Sequence, residues 1–329
     1  IKYVNLSSQY LKEKKALLKV IDKTLATGEH VGGKQIREFE KKIENLLKVR
    51  HCVALNSGTD ALTLGLHAIG IRRGDEIITT PNSFIASTAV IVHLGAKPVF
   101  VDVKEDQCID PNLIERSITK KTKAIMVVHL TGRVCEMDKI LKISKKYNIP
   151  IVEDAAQSIG SKFKNKFAGT FGTVGCFSAH PLKNLNAMGD SGYLTTNSNT
   201  IANYIRDIRN HGMTNRNKIY HFGHVSRMDN LQASILNYRL KSLPGIIKKR
   251  RENAKIYFEN LNENYIFFPR ENEKEFNTYH TFVVQLPKRD QLKKYLRKKG
   301  IETSIHYPIP IHLQPAAKKL NYKKGDFKV

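Results

Sequence analysis

The 329-residue chain has no tryptophan, only four cysteines, and no run approaching the ~20 consecutive apolar residues that a membrane helix needs. Each shortage excludes something. Cys52, Cys108, Cys135 and Cys176 are scattered, with no Cys-x-x-Cys pair and no clustered histidines, so neither a disulfide framework nor a metal site is expected. The N-terminus reads IKYVNLSSQYLKEKK and lacks the apolar core of a signal peptide, so the expected setting is cytoplasmic, with no membrane partner. Acidic residues are also short, 30 against 55 basic ones, leaving a net charge of +25 that suits an anionic partner, either nucleic acid or a phosphorylated small molecule. The basic residues are spread along the chain, as in KKYLRKK, IIKKRRENAK and AAKKLNYKK, on what read as polar helix faces. That is the pattern of a solvated surface, and no nucleic-acid partner is expected.

What is present is an ordinary globular composition, 41% hydrophobic, long enough for one large domain and a smaller one. From residue 51 short apolar runs alternate with helical patterns: HCVALNS, a helix over Thr59–Ile69, EIITT, a helix over Ala86–Leu94, and KPVFVDV. The alternation continues through a helix near Pro111–Ser117, AIMVVHL, a helix over Met137–Tyr147 and IPIVEDA. Repeated β-α-β units of this kind predict a mostly parallel sheet covered by helices. After Gly160 the strands shorten to TVGCFSAH and GYLTTN, which read as an antiparallel extension of that sheet, before a helix over Thr200–Arg209. A long helical pattern from Met228 then meets Pro244-Gly245, a pair predicted to break it and to mark a hinge. Beyond it NYIFFP, HTFVVQL, a helix over Asp290–Lys299 and IETSIHY predict a small strand-helix-strand module.

Three segments carry chemistry. Leu55-Asn56-Ser57-Gly58-Thr59-Asp60 places small and hydroxyl residues where a strand turns into a helix, so free backbone N–H groups converge in a way that suits a phosphate, or simply caps the helix. Asp154 closes IPIVEDA, and in open α/β sheets ligands bind beyond the carboxyl ends of the strands. A carboxylate there wants a cationic partner, and a protonated pyridine nitrogen is one; a cap or a surface aspartate is the alternative. Lys183 stands in FSAHPLKN among aromatic, small and amide residues, unlike the lysine-rich helices elsewhere. A sheltered lysine can lose its proton and attack an aldehyde.

SGTDAL, EDAAQ and FSAHPLKNLNAMGD, in that order and spacing, resemble the DegT/DnrJ/EryC1/StrS family of sugar aminotransferases, and VNLSSQY, TGEHVGGKQIREFE, SRMDNLQASIL and HYPIPIHLQPA extend the resemblance over nearly the whole chain. The resemblance implies an α/β protein of pyridoxal-phosphate (PLP) fold type I, aspartate aminotransferase-like. It also implies a large three-layer domain over residues 1–240 and a small, shortened C-terminal α/β domain over 241–329, both chain ends being incomplete. Lys183 would hold the cofactor as a Schiff base and move the proton; Asp154 would pair with the ring nitrogen. Gln157 would bond the ring hydroxyl, Phe84 would stack on the ring, and Gly58, Thr59 and Ser178 would bind the phosphate. His180 reads equally as part of the lysine loop or as a core histidine. His306, Tyr307 and His312 would serve the sugar.

The implied partners are a nucleotide-linked keto-sugar, aminated at C3 in preference to C4, and an amino donor such as L-glutamate, in a homodimer with its sites at the interface. One departure concerns the family's asparagine before Ser-Arg-Met, which reaches the neighbouring subunit's phosphate: here it is Val225, so either Ser226, His224 or Arg227 substitutes or the phosphate has one donor fewer. The alternatives are a dehydratase of the same fold, which Lys183 argues against, and a non-enzymatic regulator, for which no helix-turn-helix signal is seen.

Overall fold

The computed structural model describes residues 1–215 and 217–328. Two helices lead the chain, α1 (Leu6–Leu25) and α2 (Lys34–Leu47), followed by alternating elements: β1 (His51–Leu55), α3 (Gly58–Ala68), β2 (Glu76–Thr79), α4 (Ala86–His93), β3 (Lys97–Phe100), α5 (Pro111–Ile114), β4 (Thr122–Val128), α6 (Met137–Tyr147) and β5 (Ile151–Asp154). Next come the small hairpin β6 (Lys162–Phe163) and β7 (Lys166–Phe167), then β8 (Val174–Ser178), β9 (Gly192–Thr196) and α7 (Asn199–Ile208). Polar side chains start several helices where the sequence offers them: Asn5 Oδ1 accepts the Ser8 N–H, Ser57 Oγ that of Asp60 and Ser198 Oγ that of Ile201.

Seven strands form one sheet in the order β1-β9-β8-β5-β4-β2-β3. The pairs β2·β3, β2·β4, β4·β5 and β5·β8 are parallel, whereas β9 runs antiparallel to both β8 and β1. The antiparallel extension is therefore confined to β9; β8 continues the parallel run because the Gly160–Thr173 excursion returns the chain to the amino end of the sheet.

Side chains alternate across this sheet, as the period of a strand requires. Val53, Ala124, Met126, Val152, Val174 and Leu194 pack on one face with the apolar sides of α3, α4 and α7. Cys52, Ala54, Phe177 and Tyr193 pack on the other with α2 and α8 (Asn230–Arg239), and Ile125, Val127 and Ile151 do so with α6. Helices on both faces make three layers, so parallel strands buried on both sides read as the continuous apolar runs seen in the sequence.

Downstream of α8 the expectations need correction. Pro244 and Gly245 do not interrupt the helix: a short 3₁₀ turn (Leu240–Ser242) bends the chain and α9 (Leu243–Asn260) begins at once, with proline in its first turn where its missing N–H costs nothing. Nor do NYIFFP, HTFVVQL and IETSIHY form a ladder among the described residues. Phe267 and Gln285 exchange one pair of backbone hydrogen bonds (2.9 and 2.7 Å), and Glu275–Phe276 instead pair with β6. The aromatic side chains of these runs stack on α9, Tyr257 on Phe282 at 4.7 Å and Phe258 on Phe268 at 5.5 Å between ring centres, so ring packing replaces the predicted pairing. The predicted helix forms over Arg289–Lys298.

Candidate active site

The carboxyl ends of β1, β2, β4, β5 and β8 open on one cleft of about 1420 Å³, closed on its far side by residues 1–4, α9 and the segments around 279–286 and 301–313. Gly58, Thr59, Phe84, Asp154, Gln157, Ser178, Lys183, His306, Tyr307 and His312 all line it.

The floor is set by two close approaches. Gly58 opens α3 so near to β8 that a Cβ placed there would lie 2.6 Å from Ser178 Cβ, and a Cβ on Gly192 would lie 2.3 Å from the Ser57 carbonyl. Only glycine lets the helix start and the two strand ends converge, leaving the first N–H groups of α3 directed into the cleft. Ser178 Oγ accepts the His180 N–H at 3.3 Å. His180 itself is exposed in the chain, so it is not a core histidine.

Asp154 is 6% exposed. Its Oδ2 accepts from Ser87 Oγ at 2.7 Å, Ser87 Oγ is bonded to Ser83 Oγ at 2.7 Å, and Oδ1 accepts the Ala156 N–H at 3.1 Å. Ser83 and Ser87 stand four apart, at the entry to and inside α4, so both reach the same carboxylate; the sequence showed them only as part of NSFIAS. Burial pushes the Lys183 ammonium below the ordinary lysine range, opposed by the Asp154 charge. Lys183 thus gives up its proton more readily than a surface ammonium does.

Gln157 links two parts of the cleft. Its Oε1 accepts the Thr131 N–H at 2.7 Å and its Nε2 donates to Tyr307 Oη at 3.3 Å. Burial pushes the Tyr307 hydroxyl up to about 12, which keeps it a donor, and its ring lies 6.3 Å from that of Phe84. His306 stacks loosely on Tyr3 at 6.1 Å, and both burial and Lys183 push its imidazole down. His312 lines the same cleft in a different setting: it packs edge-on against Phe327 at 4.7 Å and its charged neighbours are Asp102 and Asp326. Sequence reasoning missed Arg250 and His280, which also face the cleft. Arg250 was hidden in the basic run KKRR, and His280 had no motif around it.

At the departure from the family pattern, Val225 is exposed and bridges to Asn210. Ser226 is fully buried and donates to Asn56 Oδ1 at 3.4 Å, and Arg227 Nη1 donates to Asn210 Oδ1 at 2.8 Å. Of the three candidates to replace the asparagine, His224 alone has an exposed side chain not engaged in this way.

A sheltered lysine, a buried carboxylate on the neighbouring strand end and a glycine-opened helix start are the parts a PLP site requires. Residues 11–329 match the model of the DegT/DnrJ/EryC1/StrS aminotransferase family. The chain belongs to this family. It is 37% identical over 328 residues to the pleiotropic regulatory protein of Geobacillus stearothermophilus, covering 98% of this chain and 88% of that one. It is 38% identical over 317 residues to the dTDP-3-amino-3,6-dideoxy-alpha-D-galactopyranose transaminase of Aneurinibacillus thermoaerophilus, covering 96% and 87%. The crystal structure of S. venezuelae DesV in complex with a ketimine intermediate superposes with a TM-score of 0.96 at 33% identity, over 99% of this chain and 88% of that one. The fold is therefore the type I α/β fold of the sugar aminotransferases, as the family motifs implied. Among the described residues no helix is long and apolar enough to cross a membrane.

Proposed function

We propose that this protein is a PLP-dependent aminotransferase that passes an amino group from a donor such as L-glutamate to a nucleotide-linked keto-sugar, at C3 in preference to C4. The observation that carries the reading is the partly buried Lys183 and the buried Asp154 lining one cleft, with burial lowering the hold of the lysine on its proton. When bound, PLP supplies a carbonyl that condenses with amines and a ring that takes up the electron pair left by a departing proton.

The chain's own groups do the rest. Lys183 Nζ would hold the cofactor and, once released from it, would act as base and then acid, moving the proton taken from the donor carbon to the cofactor carbon. Asp154, oriented by Ser87 and the Ala156 N–H, keeps the ring nitrogen protonated. Gly58, Thr59 and Ser178 bind the phosphate, Phe84 covers the ring, and Gln157 bonds the ring hydroxyl while donating to Tyr307. His306, Tyr307 and His312 receive the sugar. The name of the relative from Aneurinibacillus thermoaerophilus, a 3-amino sugar transaminase, supports amination at C3. A homodimer with the sites at the interface, His224 facing the partner's phosphate in place of asparagine, and a division into a large domain to residue 240 and a smaller one after it belong to the same proposal. So does the setting, a protein working in the cytoplasm without a membrane or nucleic-acid partner.

The test is the absorption spectrum of the PLP-loaded protein on addition of L-glutamate. Conversion of the visible band of the lysine-bound cofactor to the near-ultraviolet band of its amine form, reversed by a nucleotide-linked 3-keto-sugar, is the expected result. A visible band that responds to no amino donor would overturn it.

A further inference from the structure

Four arginines of this fold, two buried and two partly buried, hold a carboxylate: Arg133 with Glu275, Arg209 with Glu40 at 2.7 Å, Arg239 with Glu13 and Arg251 with Glu271 at 2.9 Å. Arg250, beside Arg251 on α9, faces the cleft and holds none among the described residues. Its Nη1 donates to the carbonyls of Tyr279 (3.2 Å) and His280 (2.8 Å), which fixes the guanidinium but does not neutralise it. His280, which Arg250 thereby positions, has a buried Nδ1 with no hydrogen-bond partner. Burial pushes the His280 imidazole well down, and the charges of Lys183, Arg250 and His306 push it further, so these four groups share one electrostatic neighbourhood. The cleft carboxylate Glu302 accepts the Tyr3 N–H at 3.0 Å, and Asp154, bonded to Ser87 and the Ala156 N–H, has no bond to Arg250. An arginine that faces the cleft with no carboxylate partner among the described residues, beside a buried imidazole nitrogen with no hydrogen-bond partner, is a site for an anion that arrives with a ligand.

We propose that Arg250, with His280 and His306, is the subsite for the carboxylate of the amino donor. The assignment rests on the amino-transfer reading above and adds to it the group that recognises the donor. The cleft shared with Lys183 chooses the anion. In an amino acid the carboxylate carbon is two bonds from the reacting nitrogen, about 2.5 Å away. In a nucleotide-linked sugar the phosphorus is four bonds from a ketone at C3. The guanidinium anchored on the backbone of His280, in the cleft that Lys183 lines, therefore matches the carboxylate, and the diphosphate lies further along the cleft. Arg250 carries no proton in the reaction; it sets where the donor's α-carbon stands relative to Lys183.

The two half-reactions of the PLP-loaded protein separate the possibilities. For Arg250→Gln the L-glutamate concentration giving half-maximal conversion of the cofactor should rise about 10- to 100-fold, the loss expected for a charge-assisted pair. The concentration dependence on the keto-sugar in the return half-reaction should change less than about 2-fold. Binding of glutarate, an unreactive dicarboxylate, followed by its spectral perturbation of the cofactor, should weaken in parallel. Arg250→Lys, which keeps the charge and loses the fork, should fall between and carries the test should the glutamine variant not fold. A selective loss in the sugar half-reaction would assign the site to the diphosphate and overturn the proposal, and equal losses in both would reduce Arg250 to a structural strut. A wild-type protein that reacts with no amino acid would remove the aminotransferase reading itself, and the donor subsite with it.

Discussion

Glu153 and Asp154 are neighbours on one strand, and they face opposite sides of the sheet. Glu153 is fully buried and its needs are met by the chain: Oε1 accepts the N–H groups of Phe171 and Gly172 at 2.6 Å, and Oε2 accepts the Gly169 N–H at 2.7 Å and His129 Nε2 at 2.8 Å. The Cys135 N–H donates to His129 Nδ1 at 3.2 Å, which leaves the imidazole proton on Nε2 for Glu153. Asp154 accepts one bond on each oxygen and turns the remainder of its charge to the cleft, which Lys183, Arg250 and His280 also line. One carboxylate is complete and the other is poised for a ligand. A charge that the chain has fully satisfied is there for the fold, whereas one left partly open at a cleft is there for a partner.

The sharpest way to break this contrast is on the open side. Lys183→Ala should lower turnover by more than about 1000-fold while still binding the amine form of the cofactor through Asp154 and the α3 start; steady-state kinetics with equilibrium dialysis decide it. Retention of near-normal turnover would take Lys183 out of the reaction. On the closed side, Glu153→Gln places an amide donor against backbone donors and should cost about 2–4 kcal/mol in urea unfolding. Asp154→Asn should leave the same midpoint within about 1 kcal/mol and slow the glutamate half-reaction instead. If the two variants behaved alike in both measurements, the distinction between a complete and an open carboxylate would fail.

Gly58→Ala tests the floor between the two regions. A methyl group 2.6 Å from Ser178 Cβ must push α3 and β8 apart, so the variant should lose about 1–3 kcal/mol of stability and bind PLP more weakly. Unchanged affinity and stability would show that the helix start has slack. The smallest effect is in pH. Rebinding of PLP needs neutral Lys183, so its rate should rise with pH to a plateau, with the midpoint below that of an ordinary lysine because burial disfavours the ammonium. Asp154 stabilises the ammonium and raises the midpoint; removing its charge in Asp154→Asn should move the midpoint lower still. An upward move would mean the two groups do not interact.

Much of the fold was legible because parallel strands buried on both faces leave uninterrupted apolar runs, as AIMVVHL and IPIVEDA do for β4 and β5. Strand direction was less legible: β8 and β9 have the same short apolar character, and their opposite senses depend on where the intervening loop returns the chain. The C-terminal runs failed as strands because an apolar run records only that a segment must be buried. Whether it is buried by pairing or by stacking on α9 depends on what lies beside it.

The sequence by itself determined the layered α/β plan, the family, and the residues that gather at the strand ends, because period, punctuation and local motif are carried by neighbours in the chain. Only the tertiary structure decided which charges are satisfied. Glu153 and Asp154 are adjacent letters, Arg250 and Arg251 likewise, and nothing local distinguishes the partners. Burial and the groups brought in from residues 87, 129, 169–172, 271 and 280 separate the charge that holds the fold from the charge left for a ligand.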